Sequence, residues 1–484
     1  MNYGQFLNMV PEAFLVLALI MVFCADFCLT KSERKTGVLG KLTMALLLCQ
    51  TIMLTTVGPA EAFGGMYVAS QAANVMKIIL TIGALIVVIM AQPWLKNEAS
   101  KYAGEFYLLI LSTLLGMYVM MSSGSFLLFF LGLETASVPM ACLVAFDKYK
   151  KKSAEAAAKY ILVATFSSGV MLYGISFVYA ASGTLYFGDV AEAIMGCNPL
   201  YEGATPLTIM GLVFFFSGLA FKLSLVPFHF WTADTYEGAP TPITGYLSVC
   251  SKGAAAFAAM VILCKAFAPL VEYWEYMLYV LIVLSITIAN LFAIRQSELK
   301  RFMAFSSISQ AGYIMLAVIG ASQTGMASLM YYVLVYVVAN MAVFTVISAV
   351  EQNNGGATKM SAYDGLYQTN PKLAFLMTLA LFSLAGIPPF AGMFSKFFVF
   401  MAAAEQGSFW AYFVVFIALV NTVVSLYYYL LIVKAMYIKQ TDTPLPTFKS
   451  DVNTKLALTV CTAGIVLFGV CSCIYQWLFT ASAM

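Results

Sequence analysis

The sequence is poor in charge and in the residues that hold cofactors: 10% of its 484 residues are charged and only one, His229, is histidine. Each shortage excludes something. There is no GxGxxG and no Walker loop, which argues against a nucleotide site within the chain. The ten cysteines are scattered through apolar runs, and the nearest pairs, Cys24 with Cys28 and Cys471 with Cys473, lack the spacing of zinc or iron–sulfur ligands. They read as small buried hydrophobes. With a single histidine besides, haem and metal binding are not expected. The net charge of +3 is spread along the chain and not gathered into a patch, so no nucleic-acid partner is implied. The N-terminal MNYGQFLNMVPEAF lacks the positive region and cleavage site of a signal peptide, and the first span is expected to be retained.

What the chain has in abundance is apolar sequence: 62% of its residues are hydrophobic, too many for a soluble protein with a polar surface. It reads as an all-α polytopic membrane protein. A spanning helix needs roughly 20 apolar residues, and about 14 spans fit that rule. They fall at 11–30, 39–57, 72–94, 104–121, 124–146, 155–181, 206–235, 241–265, 274–294, 301–321, 326–350, 372–403, 408–438 and 454–480. Basic residues test the count, because Lys and Arg accumulate in cytoplasmic loops. One set of alternate loops carries Lys31, Arg34, Lys35 and Lys41; Lys96 and Lys101; Lys148, Lys150, Lys151 and Lys152; Arg295, Lys300 and Arg301; Lys359 and Lys372; and Lys434, Lys439, Lys449 and Lys455. The other set carries only Lys265. This bias places both termini on the outer, periplasmic side.

The remaining basic residues, Lys77, Lys159, Lys222, Lys252 and Lys396, fall within spans. Lys77 and Lys159 are a turn or two from a span end, near enough to snorkel to the headgroups. Lys222, Lys252 and Lys396 are too deep for that. One acidic residue is comparably deep, Glu134 in FLLFFLGLETASVP. Charges at that depth are costly and mark ion or proton paths. A lysine taken out of water holds its proton less tightly, and a nearby carboxylate restores the affinity. A Glu134–Lys222 pair whose separation changes is therefore a means of loading and releasing a proton. The bland alternative is a static ion pair that fixes helix packing.

Two spans are interrupted. In FKLSLVPFHFWTADTYEGAPTPITGYLSVCSK, Phe221 to Lys252, Pro227 breaks the seventh span between the two deep lysines. Lys222 and His229 are seven residues apart and share a face if the helix continues that far. A lone core histidine is usually structural, but beside a break and between two lysines its near-neutral titration suits a proton relay. In SLAGIPPFAGMFSKFF, Gly386, Pro388 and Pro389 break the twelfth span just before Lys396. By the loop count the two broken spans run in opposite directions, the pattern of inverted-topology repeats. The expected division is an N-terminal three-helix segment (1–103), a first five-helix repeat (104–267), a second, inverted one (268–438) and a C-terminal loop with the last span (439–484). Asn290, Gln310, Asn340 and Asn421 lie deep in the second half; singly, each is expected to be an interhelical hydrogen bond.

PFHFWTADTYEGAPTPITGYLSVCSK with FKLSLV before it, SLAGIPPFAGMFSKFFVF, and LKRFMAFSSISQAGY at Leu299 to Tyr313 resemble the antiporter-like membrane subunits of respiratory complex I, the NADH–quinone oxidoreductase. The YEGAPTP and GIPPFAG wording resembles that of the subunit N type. The resemblance covers essentially the whole chain. It implies that Glu134 modulates the loading lysine Lys222, with Lys159 an alternative partner, that His229 and Lys252 continue a central hydrophilic axis, and that Lys396 stands near its exit. It implies no redox centre here: NAD, FMN, iron–sulfur clusters and quinone would belong to the complex. The implied partners are membrane subunits of the K, M, L, J, A and H types, a peripheral redox arm and the lipid of a cell inner membrane. Two rivals remain, a secondary cation/proton antiporter of the same fold and a purely structural helix bundle.

Overall fold

The computed structural model describes residues 3–29, 35–196, 205–441, 445–471 and 473–483. Lys31 and Arg34, counted above among the basic loop residues, lie outside them. Long apolar runs in lipid leave the backbone no partner but itself, and the chain coils into helices accordingly. α1 (Val10–Cys28), α2 (Lys35–Thr56) and α3 (Gln71–Glu98) come first. Between α2 and α3 lies a small antiparallel hairpin of β1 (Ala60–Ala62) and β2 (Tyr67–Ala69), with Ala60 opposite Ala69. Ser70 then caps α3, its hydroxyl accepting the Ala73 N–H at 3.1 Å. α4 (Ala103–Met121) and α5 (Phe126–Val144) lie backbone to backbone, because Gly116 and Gly132 leave no side chain between them.

α6 (Lys151–Ser182) ends where Gly183 turns left-handed at φ 72°. A short α7 (Phe187–Ile194) follows, then α8 (Pro206–Leu223), α9 (Phe230–Gly238) and α10 (Thr241–Tyr246). A π-turn over Leu247–Ser251 leads into α11 (Lys252–Lys265). Next come α12 (Val271–Ile294), α13 (Leu299–Leu316) and α14 (Gln323–Asn353). α15 (Leu366–Thr369), α16 (Pro371–Ala385), α17 (Ala391–Glu405), α18 (Phe409–Tyr437), α19 (Val452–Val470) and α20 (Cys473–Ala481) complete the chain.

The protein is an all-α polytopic membrane protein. Among the described residues, 12 helical segments are long and apolar enough to cross a membrane. The expected spans outside that set are 301–321 and 372–403. α13 covers the first, and its Ser306, Ser307, Ser309 and Gln310 lower its hydropathy. The second is divided between α16 and α17, 15 residues each.

The core is centred on α14, buried at every position from Gly325 to Val350 and flanked by α3, α16, α17, α19 and α20. Around the periphery, Phe23 of α1, Phe166 of α6 and Val423 of α18 point outward, as suits a surface whose solvent is lipid. The four deep amides do join helices. Asn290 donates to Asn421 Oδ1 at 3.0 Å, Gln310 to the Leu384 carbonyl at 3.3 Å, and Asn340 to Ser248 Oγ at 2.6 Å.

Lys77 departs from expectation. It does not snorkel: it is fully enclosed, and its Nζ donates to Glu12 Oε1 at 2.7 Å and to Tyr67 Oη at 3.3 Å. Tyr67 in turn donates to Glu12 Oε2 at 2.8 Å. Glu12, at the start of α1, is thus a second deep carboxylate in addition to Glu134, bonded to Lys77 of α3 and Tyr67 of β2.

Candidate functional site

The site is built on interruptions. α8 begins with a capping box of Thr205 and Thr208 and with Pro206 in its first turn. It stops at Leu223 because Ser224 turns left-handed at φ 60° and Pro227 has no N–H to give. The backbone groups freed by the break find side chains: the Val226 N–H donates to Ser285 Oγ of α12 at 2.9 Å, and Trp231 Nε1 donates to the Phe221 carbonyl at 3.2 Å. This is how a broken helix is tolerated at membrane depth.

Lys222 sits in the last turn of α8, where the helix dipole favours a cation. It is buried, and its Nζ donates to Tyr160 Oη of α6 at 3.1 Å. Glu134, half-buried on α5, accepts a hydrogen bond from Ser168 Oγ, also on α6. No ion pair within 4.0 Å joins Glu134 to Lys222; α6 stands between them, holding each by a different hydroxyl. His229 does not share a helical face with Lys222, because the helix ends between them. It is instead the N-cap residue of α9, buried, with no hydrogen-bond partner at Nδ1.

Lys159 is placed elsewhere. It is exposed, and its Nζ pairs with Glu155 Oε1 at 2.8 Å and Asp234 Oδ2 at 2.7 Å. Arg301 Nη1 of α13 reaches Asp234 Oδ1 at 2.6 Å and Glu237 Oε2 at 2.9 Å, and Lys152 reaches Glu237 Oε1 at 2.8 Å. This ring of charges surrounds an open cavity of about 170 Å³. Sequence reasoning missed it. The signal was there: Asp234 and Glu237 are three residues apart and so share one face of α9.

Lys252 follows the π-turn, a feature that often marks functional positions and that no hydropathy pattern reveals. Its Nζ donates to Ser307 Oγ of α13 at 2.7 Å and lies 5.6 Å from the centre of the Tyr236 ring. Tyr236 belongs to α9 and shares a 3.2 Å hydrogen bond with Ser307. The nine residues of α9, capped by His229, thus carry Tyr236 against Lys252 and the Asp234 and Glu237 carboxylates of the charged ring.

Lys396 lies behind the second break. α16 ends at Ala385, Gly386 turns left-handed at φ 90°, and α17 restarts at Ala391. Gly392 lies directly against the Ser383 carbonyl, which brings the two half-helices together. The Lys396 Nζ donates to the Ala385 carbonyl at 3.0 Å, an acceptor that exists because the helix ends there, and lies 5.0 Å from the centre of the Tyr313 ring.

The three deep lysines are therefore each held by a neutral oxygen, two of them hydroxyls. A hydroxyl both donates and accepts, so it can pass on a proton that a lysine gives up. Among the described residues, no group of three or more His, Cys, Asp or Glu side chains is placed to hold a metal ion.

The family described as NADH:quinone oxidoreductase/Mrp antiporter, TM, matches residues 123–425, which include Glu134, Lys159, Lys222, His229, Lys252 and Lys396. NADH-quinone oxidoreductase subunit N of Phocaeicola vulgatus is 57% identical over 481 residues, 99% of either chain. Its counterpart from Azobacteroides pseudotrichonymphae is 48% identical over 100% of this chain and 99% of the other. Among solved structures, a chain of respiratory complex I from Thermus thermophilus with bound aureothin superimposes with a TM-score of 0.78 at 30% identity, covering 95% of this chain and 97% of that one. A chain of the Mrp complex from Dietzia sp. DQ12-45-1b gives a TM-score of 0.84 over 100% of this chain and 97% of its own, and at 19% identity that likeness speaks for the fold alone. Sequence and fold agree that the chain belongs to the NADH-quinone oxidoreductase subunit N and Mrp-type antiporter family of membrane proteins.

Proposed function

We propose that this chain is a proton-translocating membrane-arm subunit of a redox-driven NADH-quinone oxidoreductase. Protons are taken up from the cytoplasmic side, pass by Lys222, His229, Lys252 and Lys396, and leave on the outer side. Glu134 tunes Lys222 through α6, and Lys159 acts from the charged ring that joins α6, α9 and α13. Electron transfer from NADH through FMN and iron–sulfur clusters to quinone takes place in other subunits of the complex and drives the relay at a distance. The partners are the neighbouring membrane subunits of the K, M, L, J, A and H types and the peripheral arm, in a cell inner membrane with both termini of this chain outside.

One observation carries the reading. Lys222, Lys252 and Lys396 are buried beside irregular turns of their helices, and the nearest acceptor of each is a neutral oxygen. A static structural ion would be matched by a carboxylate, as Lys77 is by Glu12. The fourteen-span, two-repeat arrangement is part of the proposal. It is supported by the succession α4, α5, α6, broken α8/α9, α10/α11 against α12, α13, α14, broken α16/α17, α18, in which α6 and α14 have 32 and 31 residues. The three helices before it and the last span after it form the remaining segments.

The test is NADH-driven proton uptake into inverted membrane vesicles carrying Lys222→Met, measured with NADH oxidation and the amount of assembled complex. The complex assembles while proton uptake and its coupled turnover fall. If assembly, turnover and uptake all match the parent, the lysine carries no proton and the structural-bundle reading takes over. The family's description, which names the Mrp antiporter beside NADH:quinone oxidoreductase, favours a second reading, cation/proton antiport. Unchanged NADH-driven uptake with loss of cation-for-proton exchange would select it.

A further inference from the structure

α14 presents Tyr332 and Tyr336 four residues apart, on one face. The Tyr332 hydroxyl is used: it donates to Gln310 Oε1. The Tyr336 hydroxyl is not. The residue is 3% exposed, and its Oη has no hydrogen-bond partner. An unpaired buried hydroxyl costs about 1–3 kcal/mol, so such groups in folded proteins are met by a protein atom or by an ordered water.

Room for a water exists beside it. A cavity of about 10 Å³ is lined by Gln310, Tyr332, Tyr336, Ser383, Ser395 and Lys396. That is room enough for an ordered water, and a buried water needs two to four polar partners. The partners are at hand. The Lys396 ammonium has three N–H donors and spends one on the Ala385 carbonyl. Ser383 Oγ accepts the Gly392 N–H at 3.3 Å and retains a lone pair. A metal cation is disfavoured by the lysine in the wall, and the cavity is too small for a polyatomic anion.

The Tyr336 hydroxyl also neighbours Ser307, close enough to interact though without a hydrogen bond of normal geometry. Ser307 is the hydroxyl that holds Lys252. Tyr336 therefore stands between the partner of one deep lysine and a cavity that borders the next.

We infer that this cavity holds one ordered water bonded to Tyr336 Oη and Lys396 Nζ, and that Tyr336 relays protons between Ser307 and Lys396. The inference rests on the proton-relay reading above and supplies its link between Lys252 and Lys396. The Lys252 ammonium gives a proton to Ser307 Oγ as the Ser307 proton passes to Tyr336 Oη. The phenolic proton passes to the water, and a water proton to the neutral amine of Lys396. Each transfer breaks one N–H or O–H bond and forms one, so the net change is one proton moved from Lys252 to Lys396.

Tyr336→Phe removes the hydroxyl and keeps the ring. NADH-driven proton uptake is measured in inverted vesicles per NADH oxidised and per assembled complex, for the parent, Tyr336→Phe and Lys396→Met. Uptake in Tyr336→Phe falls by the same fraction as in Lys396→Met. If Lys396→Met lowers uptake and Tyr336→Phe leaves it at the parent level, this inference fails and the relay reading stands; if both stay at the parent level, both fail. A high-resolution density map of the parent complex gives a second, independent test. A solvent peak within hydrogen-bond distance of Tyr336 Oη and Lys396 Nζ is expected, and a dry cavity overturns the proposal.

Discussion

Replacing Lys77 by Met tests how this protein uses charge away from Lys222, Lys252 and Lys396. The Lys77 Nζ and Glu12 Oε1 are 2.7 Å apart in a fully enclosed setting. At an effective dielectric of about 20, two unit charges at that distance attract by about 6 kcal/mol. The desolvation of two buried ions costs several kcal/mol each, so the intact pair adds little net stability. Removing one partner is different, because it strands the other: Lys77→Met leaves the Glu12 carboxylate with only the Tyr67 hydroxyl as a partner among the described residues. Such a loss costs about 3–5 kcal/mol. The expected result is a lower melting temperature of the detergent-solubilised complex and a reduced amount of assembled complex in the membrane. The double variant Lys77→Met/Glu12→Gln recovers most of both, since a neutral pair has no stranded charge. Proton uptake per assembled complex stays at the parent value throughout, because the pair is matched and lies before the residues that the family model covers. Parent-like assembly of Lys77→Met alone, or a double variant as unstable as the single, would refute the account.

Two further outcomes follow from the geometry of the site. Ser307→Ala removes the acceptor that holds Lys252 at 2.7 Å, a charge-assisted bond worth about 1.5–3 kcal/mol. NADH-driven proton uptake falls in an assembled complex, and Ser307→Thr, which keeps the hydroxyl, restores it. Gly392→Ala drives a Cβ into the Ser383 carbonyl and forces α17 away from α16. Overpacking of this kind costs about 1–3 kcal/mol, visible as a lower melting temperature together with a loss of uptake, because Lys396 rides on the displaced helix.

The sequence by itself determined the class of the protein, the places where two of its spans break and three of its deep charges, Lys222, Lys252 and Lys396. These follow from local chemistry: apolar length makes a span, Pro227 and Gly386–Pro388–Pro389 cannot continue a helix, and a lysine inside such a run has nowhere cheap to go. Motif wording identified the family, and Lys222, Lys252 and Lys396 are buried as the sequence implied, Lys222 and Lys396 beside the breaks it marked and Lys252 beside a π-turn it did not. Partners were beyond its reach, because they come from residues distant in the chain. Lys222 is held by Tyr160, 62 positions away, and Lys252 by Ser307, 55 away. Lys77, which a span-end position suggested would reach the headgroups, is held by Glu12 across 65 positions. The same folding takes Lys159 into a ring with Asp234, Glu237 and Arg301 and leaves Glu134 on a serine. Hydropathy fixes the depth of a side chain along the membrane normal, whereas only helix packing fixes which side chain lies across from it.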